Sequence, residues 1–157
     1  MNDNRQELIR ESLKQSEEII RSQLTIAIAS DSRALTFSGL TLAAASVLAG
    51  FADQAALSVA MYVASGMLFA AGAISAWTAM PVAWHPPGQL GGDFADDIAQ
   101  NRPMGEVMLE MASFNDAHFH KNESVRAGQS RWLKCAAMLA GLAAPTGVLV
   151  QCVAWSA

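Results

Sequence analysis

Charged side chains are missing from three long stretches of this 157-residue chain. No Asp, Glu, Lys or Arg occurs from Ala34 to Ala52, from Gln54 to Gly92, or from Cys135 to Ala157. A helix needs about 20 apolar residues to cross the hydrocarbon core of a bilayer, so each gap has room for a span. Helices of a soluble bundle carry charge on their wet face every few residues, a pattern these stretches exclude. Overall the chain is 52% hydrophobic and 15% charged. An average soluble domain is about 25% charged, so the shortage is real as well as concentrated.

Other absences narrow the function classes. The formal charge is −4 and no basic stripe with interleaved aromatics occurs, which excludes a nucleic-acid partner. The polar start Met1–Glu7 holds no apolar signal core, so the first span is expected to be retained, and neither end carries a lipidation motif. The two cysteines, Cys135 and Cys152, fall in the third apolar stretch. Seventeen residues of helix put them about 25 Å apart, far beyond disulfide reach, and they read as small apolar residues. No nucleophile stands beside a base, no glycine-rich phosphate loop occurs, and no metal cluster is visible; the chain is not expected to be an enzyme or to hold a cofactor.

The residues that are present organise into a single all-α membrane domain, 1–157. Residues 1–33 read as a cytoplasmic amphipathic helix, with Ile9, Leu13, Ile20, Leu24 and Ala27 on one face. That region is mildly acidic rather than rich in Lys and Arg, so its apolar face is expected to pack on another helix rather than on lipid. Spans are predicted at 34–52, 56–80 and 132–154, the first two joined by a tight turn at Ala52–Ala55. Pro81 ends the second. The intervening segment, 81–131, opens with the loop Trp84–Gly92, passes a short turn at Asp93–Gln100, and enters a helix at Pro103. Met104, Val107, Met108, Met111, Phe114, His118 and Val125 mark its apolar face, and Ile20 or Leu24 is expected beside Met108, Met111 or Phe114. Pro145 lies inside the third span and should kink it.

All ten basic residues fall before the first span or between Pro81 and Lys134. The positive-inside rule then puts the N-terminus in the cytoplasm and the C-terminus outside. Trp77, Trp84, Trp132 and Trp155 stand near span ends, as an aromatic belt requires.

Several residues are candidates for interaction. Asp31 and Arg33 stand where the first helix meets the membrane and could pair with the helix before the third span. Asp93, Asp96 and Asp97 cluster at a helix start, where carboxylates favour the dipole. His118 shares a face with Asn115 and Asn122, while His120 points away, so the two histidines cannot hold one metal. His118, Asn115 and Asn122 read as a polar stripe. Gly66 and Gly72 each begin a small-xxx-small pair (Gly66 with Ala70, Gly72 with Ala76) that lets helix backbones approach, within one chain or between copies. Gln151 is the one strongly polar group near a span end. No span carries an interior charge, so nothing suggests a proton relay.

The layout resembles the transmembrane effectors of Pycsar anti-phage systems. The resemblance rests on Ala29-Ser30-Asp31-Ser32-Arg33-Ala34 before a small-residue span, the tight hairpin ending at Pro81, Asp93-Phe94-Ala95-Asp96-Asp97-Ile98, and His120-Lys121-Asn122-Glu123-Ser124-Val125-Arg126 leading to the last span. It implies a bacterial inner-membrane protein that impairs the membrane in abortive infection, acts as a homo-oligomer in the lipid bilayer, and answers to a cyclic nucleotide signal or a partner protein. It also points to Asp31, Arg33, Asp97 and Lys121 as interaction residues. The central segment is too short for a cyclic-nucleotide-binding β-roll. A scaffold that docks a cytoplasmic partner, or a channel or transporter subunit, are the competing expectations.

Overall fold

The computed structural model describes residues 3–88 and 95–156, with side chains from Gln6 onward. Asp93, one of the clustered carboxylates, lies outside the described residues. Four helices follow in order: α1 (Asp3–Ala52), α2 (Ser58–Thr78), α3 (Ala95–Ala99) and α4 (Met104–Ser156). No strand occurs among the described residues. Three of the helices, α1, α2 and α4, are long and apolar enough to cross a membrane. The second span is shorter at each end than the 56–80 expected, and Pro145 lies within the unbroken run of α4.

The chain divides into two compact units. One is built from residues 29–81 and 127–157 and contains the three apolar segments. Its interior is made of small residues: Ala34, Ala45, Ala52, Ala60, Ala64, Ala71, Ala136 and Ala143, with Ser38, Thr41, Ser65 and Ser75 among them. Its large apolar side chains point outward, Leu40, Phe69, Met138 and Val153 each more than 60% exposed. A protein folded in water buries such residues and exposes polar ones. The inversion fits a lipid solvent, where large apolar groups gain nothing by turning inward and small ones let helices pack closely.

Hydroxyl-to-carbonyl bonds tie α2 to α1 in this unit. Ser38 Oγ donates to the Gly72 carbonyl at 2.9 Å, Ser65 Oγ to Ala45 at 2.7 Å, and Ser75 Oγ to Ala34 at 2.8 Å. Numbers rise on one helix as they fall on the other, so the pair is antiparallel. These donors cost the helix nothing, because a carbonyl has a second lone pair beyond its helical bond.

The other unit comprises residues 1–28 and 82–126. Here α1 and α4 run parallel: Asn115 Nδ2 donates to Ser16 Oγ at 3.1 Å and Gln23 Nε2 to the Phe119 carbonyl at 3.4 Å. Ile20 of α1 is buried in this unit, beside the residues that make these bonds to α4. Ile20, 1% exposed, lines a crevice with Leu24, Trp84 and Asn122. The seam is also more polar than an apolar periodicity predicts, since Ser16, Gln23, Asn115, His118 and Asn122 are all buried in it.

Candidate functional site

Two polar constellations stand out, one in each unit. In the apolar unit, the ends of α2 are closed by glutamines of α4. Gln151 Oε1 accepts from the Ala60 amide at 3.1 Å, and Gln129 Nε2 donates to the Thr78 carbonyl at 3.0 Å. A helix end leaves several backbone groups without partners, and lipid supplies none. At the C-terminal end the accounting is complete: Thr78 Oγ1 serves the Ser75 carbonyl, the Ala79 amide serves Ala76, the Met80 amide serves Trp77, and Gln129 serves Thr78. The two glutamines are 22 residues apart on α4, about 33 Å at helical rise. That matches the roughly 30 Å hydrocarbon thickness of a bilayer. Gln151 was visible in the sequence as a lone polar residue; its partner, a backbone amide on another helix, was not.

Glycines divide into two classes. A Cβ on Gly72 would stand 2.8 Å from Leu42 Cγ and Thr41 Oγ1, and one on Gly147 would stand 2.5 Å from the Ala60 carbonyl oxygen. These two are used up in contacts within the chain. Gly66 meets nothing within 4 Å, as do Gly39, Gly50 and Gly141. Gly66 and Gly72, alike in the sequence, therefore differ in role, and Gly147 was missed.

In the second unit, α4 presents a ladder of side chains that grips the segment before α3. Asn122 accepts from the His85 amide at 3.0 Å and donates to the His85 carbonyl at 2.9 Å, pairing with that residue as a neighbouring strand would. Asn115 Oδ1 accepts from the Gly88 amide at 3.1 Å while its amino group reaches Ser16. Gly88 has φ of +85°, a conformation open to glycine at little cost. His118 Nδ1 lies 3.2 Å from the Pro86 carbonyl, which can only accept, so this nitrogen carries the proton. The His118 ring sits between Phe114 and His85, with centroids 4.1 and 4.9 Å away. The stripe of Asn115, His118 and Asn122 is thus a clamp that fixes loop residues 85–88.

The remaining interaction candidates are separate from one another. Asp97 pairs with Arg102 at 2.6 Å, and Arg102 reaches Glu110 at 2.9 Å, linking α3 to α4 across the turn at Asn101. Lys121 is exposed on the outer side of α4. Asp31 is half-buried, and that burial pushes its carboxyl above the usual carboxylate range. Among the described residues neither Asp31 nor Arg33 makes an ion pair.

A groove of about 1010 Å³ runs along the parallel helices, its lining including Ile19, Ile26, Phe119, Glu18, Glu123 and Arg126. Arg126 is held by Glu123 at 2.6 Å, a contact that keeps the Glu123 carboxyl below its usual range. Two carboxylates and one guanidinium already engaged make a poor seat for an anionic nucleotide and a better one for an apolar helix face. Among the described residues no three His, Cys, Asp or Glu side chains come together to hold a metal ion.

No family model, no curated protein and no solved structure matches the chain.

Proposed function

We propose that this chain is an effector in the inner membrane of a bacterium, belonging to a nucleotide-signalling anti-phage system, and that it impairs membrane integrity as a homo-oligomer when activated. The setting comes from the Pycsar-like layout. The mode of action is supported chiefly by the glycines that remain open on the apolar unit: a Cβ on Gly66, Gly39, Gly50 or Gly141 would meet no other helix within 4 Å. They leave close-approach surfaces on all three spans for further copies. A single copy has no charged side chain inside its spans, hence no polar face along which water could pass; a breach needs several copies. The N-terminus is cytoplasmic and the C-terminus periplasmic, because the ten basic residues lie on one side of the spans.

Gly66→Leu is the direct test. It adds bulk where the chain itself has room, so the variant should insert and fold but lose dye uptake in phage-challenged host cells carrying the neighbouring genes. Full permeabilisation by a well-inserted Gly66→Leu chain would sink the packed-assembly mechanism. Gly72→Leu is not equivalent, since it would drive apart α1 and α2 of the same chain. Alkaline phosphatase fused after Ala157 should be active and fused before Asn2 inactive; the reverse would overturn the orientation.

A second reading, a scaffold that docks a cytoplasmic partner, is favoured by the groove, whose lining includes exposed Ile19 and Ile26 and half-buried Phe119. Absence of dye uptake with the unaltered chain in its own host would favour that reading.

A further inference from the structure

We infer that copies of this chain join through unlike faces, the outer face of α1 in one copy against the outer face of α4 in the next, with Ser46 of the first donating a hydrogen bond to the Gly141 carbonyl of the second. This deepens the assembly reading above and rests on it. One helix carbonyl in the apolar unit lacks its donor. Proline has no amide hydrogen, so Pro145 cannot make the helical bond to the Gly141 carbonyl four residues earlier. The run stays α-helical through Pro145, and Gly141 is exposed, with open space where a side chain would stand. Gly141 also lies about midway along α4 between Gln129 and Gln151, the residues that bind the two ends of α2. At that depth of a bilayer neither water nor headgroups reach it, and acyl chains have no donor.

A second copy supplies the donor, because copies in one bilayer share depth and orientation. Ser65 of α2 is level with Ala45 of α1, and Ala60 of α2 is level with the Gly147–Gln151 turn of α4. Counting along α2 places Ser46 level with about residue 144 of α4, in the turn toward which the Gly141 carbonyl points. Other hydroxyls near that level are taken: Ser38, Thr41 and Ser65 are buried, Thr146 is half-buried on α4 itself, and Tyr62 turns its hydroxyl to Asp53. Ser46 is exposed, and its Oγ donates to the Leu42 carbonyl at 2.9 Å. That carbonyl also accepts the Ser46 amide in the helix, so moving the hydroxyl to Gly141 leaves no carbonyl unpaired. The surfaces around the two residues match. Gly39, Ala43, Ser46 and Gly50 on α1 and Ala137, Gly141, Ala144 and Val148 on α4 are all exposed, with the same spacing of four, three and four residues at the same depths. Small residues so placed let the backbones approach to hydrogen-bonding distance. A contact between unlike faces leaves one free face at each end, so further copies can add.

The full chain carrying Cys135→Ala and Cys152→Ala is reconstituted in lipid vesicles. One variant adds Gly50→Cys and another Val148→Cys, positions level with each other on the two faces. Under oxidation, disulfide dimers should form when the variants are mixed and from neither variant alone. Dimers from one variant alone, or energy transfer between N-terminally labelled copies without disulfides in the mixture, overturn this interface and leave assembly standing. No energy transfer at all overturns the assembly reading as well. Ser46→Ala should weaken association about threefold, the worth of an average interhelical hydrogen bond in a membrane. Pro145→Ala restores the missing amide, so in that background Ser46→Ala should change nothing. An equal effect of Ser46→Ala in both backgrounds overturns the Ser46–Gly141 bond.

Discussion

Gly147→Ala tests the packing of the apolar unit at its tightest point. The new Cβ would stand 2.5 Å from the Ala60 carbonyl oxygen, 3.2 Å from the carbonyl carbon and 3.4 Å from its Cα. All three are backbone atoms, so no rotamer change relieves the clash. The helices must separate by about 1 Å to restore ordinary van der Waals distance. Overpacking of this kind costs about 1–3 kcal/mol. The same displacement stretches the 3.1 Å bond between the Ala60 amide and Gln151, one turn along α4 from Gly147. Interhelical hydrogen bonds in membranes contribute about 0.6 kcal/mol on average and up to roughly 1.7. A total loss of about 2–4 kcal/mol is expected. Gly66→Ala is the control: its Cβ meets nothing, so the change should be neutral or slightly stabilising through helix propensity. Reversible unfolding by SDS in mixed micelles, followed by helix content, measures both. Combining Gly147→Ala with Gln151→Leu should give less than the sum of the two, because both act on Ala60. A Gly147→Ala protein within about 0.5 kcal/mol of the unaltered chain would refute the close α2–α4 approach.

Asn122→Ala removes both bonds to the His85 backbone and should cost about 1–3 kcal/mol; hydrogen exchange at 85–88 should accelerate while the spans stay protected, and unchanged exchange would contradict the clamp. Burial raises the Asp31 carboxyl above its ordinary 3.8, so the folded chain binds that proton more tightly than the unfolded one. The resulting stability is full below pH 3.8 and is lost as pH rises through the raised value. Asp31→Asn should therefore stabilise at neutral pH and do little below pH 3.8; unfolding across a pH series in mixed micelles checks this, and no gain at pH 7 would refute it. Arg102→Gln breaks contacts to Asp97 and Glu110, but Glu110 is 58% exposed and water screens the network. The loss should stay under about 1 kcal/mol; a thermal melt showing several times that would mean the α3–α4 turn organises more of the fold.

Much of the helical layout was legible because absence of charge is a property of composition. Three charge-free runs need no knowledge of partners to be read as spans, and the helices that contain them appear where expected. Of the face expected on α1, Ile9, Leu13, Ile20, Leu24 and Ala27, the structure buries Ile20 and Ala27 and leaves Leu24 38% exposed. What apolar periodicity hid was the polar half of each seam. Ser16, Gln23, Asn115 and Asn122 count as surface residues in such a reading, yet all are buried.

The sequence by itself determined that three helices are apolar enough for a bilayer and which stretches stay polar, because transfer from water to hydrocarbon is a sum over side chains. Only the tertiary structure decided which small residues are spent inside the chain and which remain open. Gly66 and Gly72 have the same local spacing, and Gly147 resembles neither. Their difference comes from whether another helix's backbone lies beside the missing Cβ. It likewise decided that Gln129 and Gln151 close the two ends of α2, because hydrogen bonding in lipid depends on a partner supplied by a distant part of the chain.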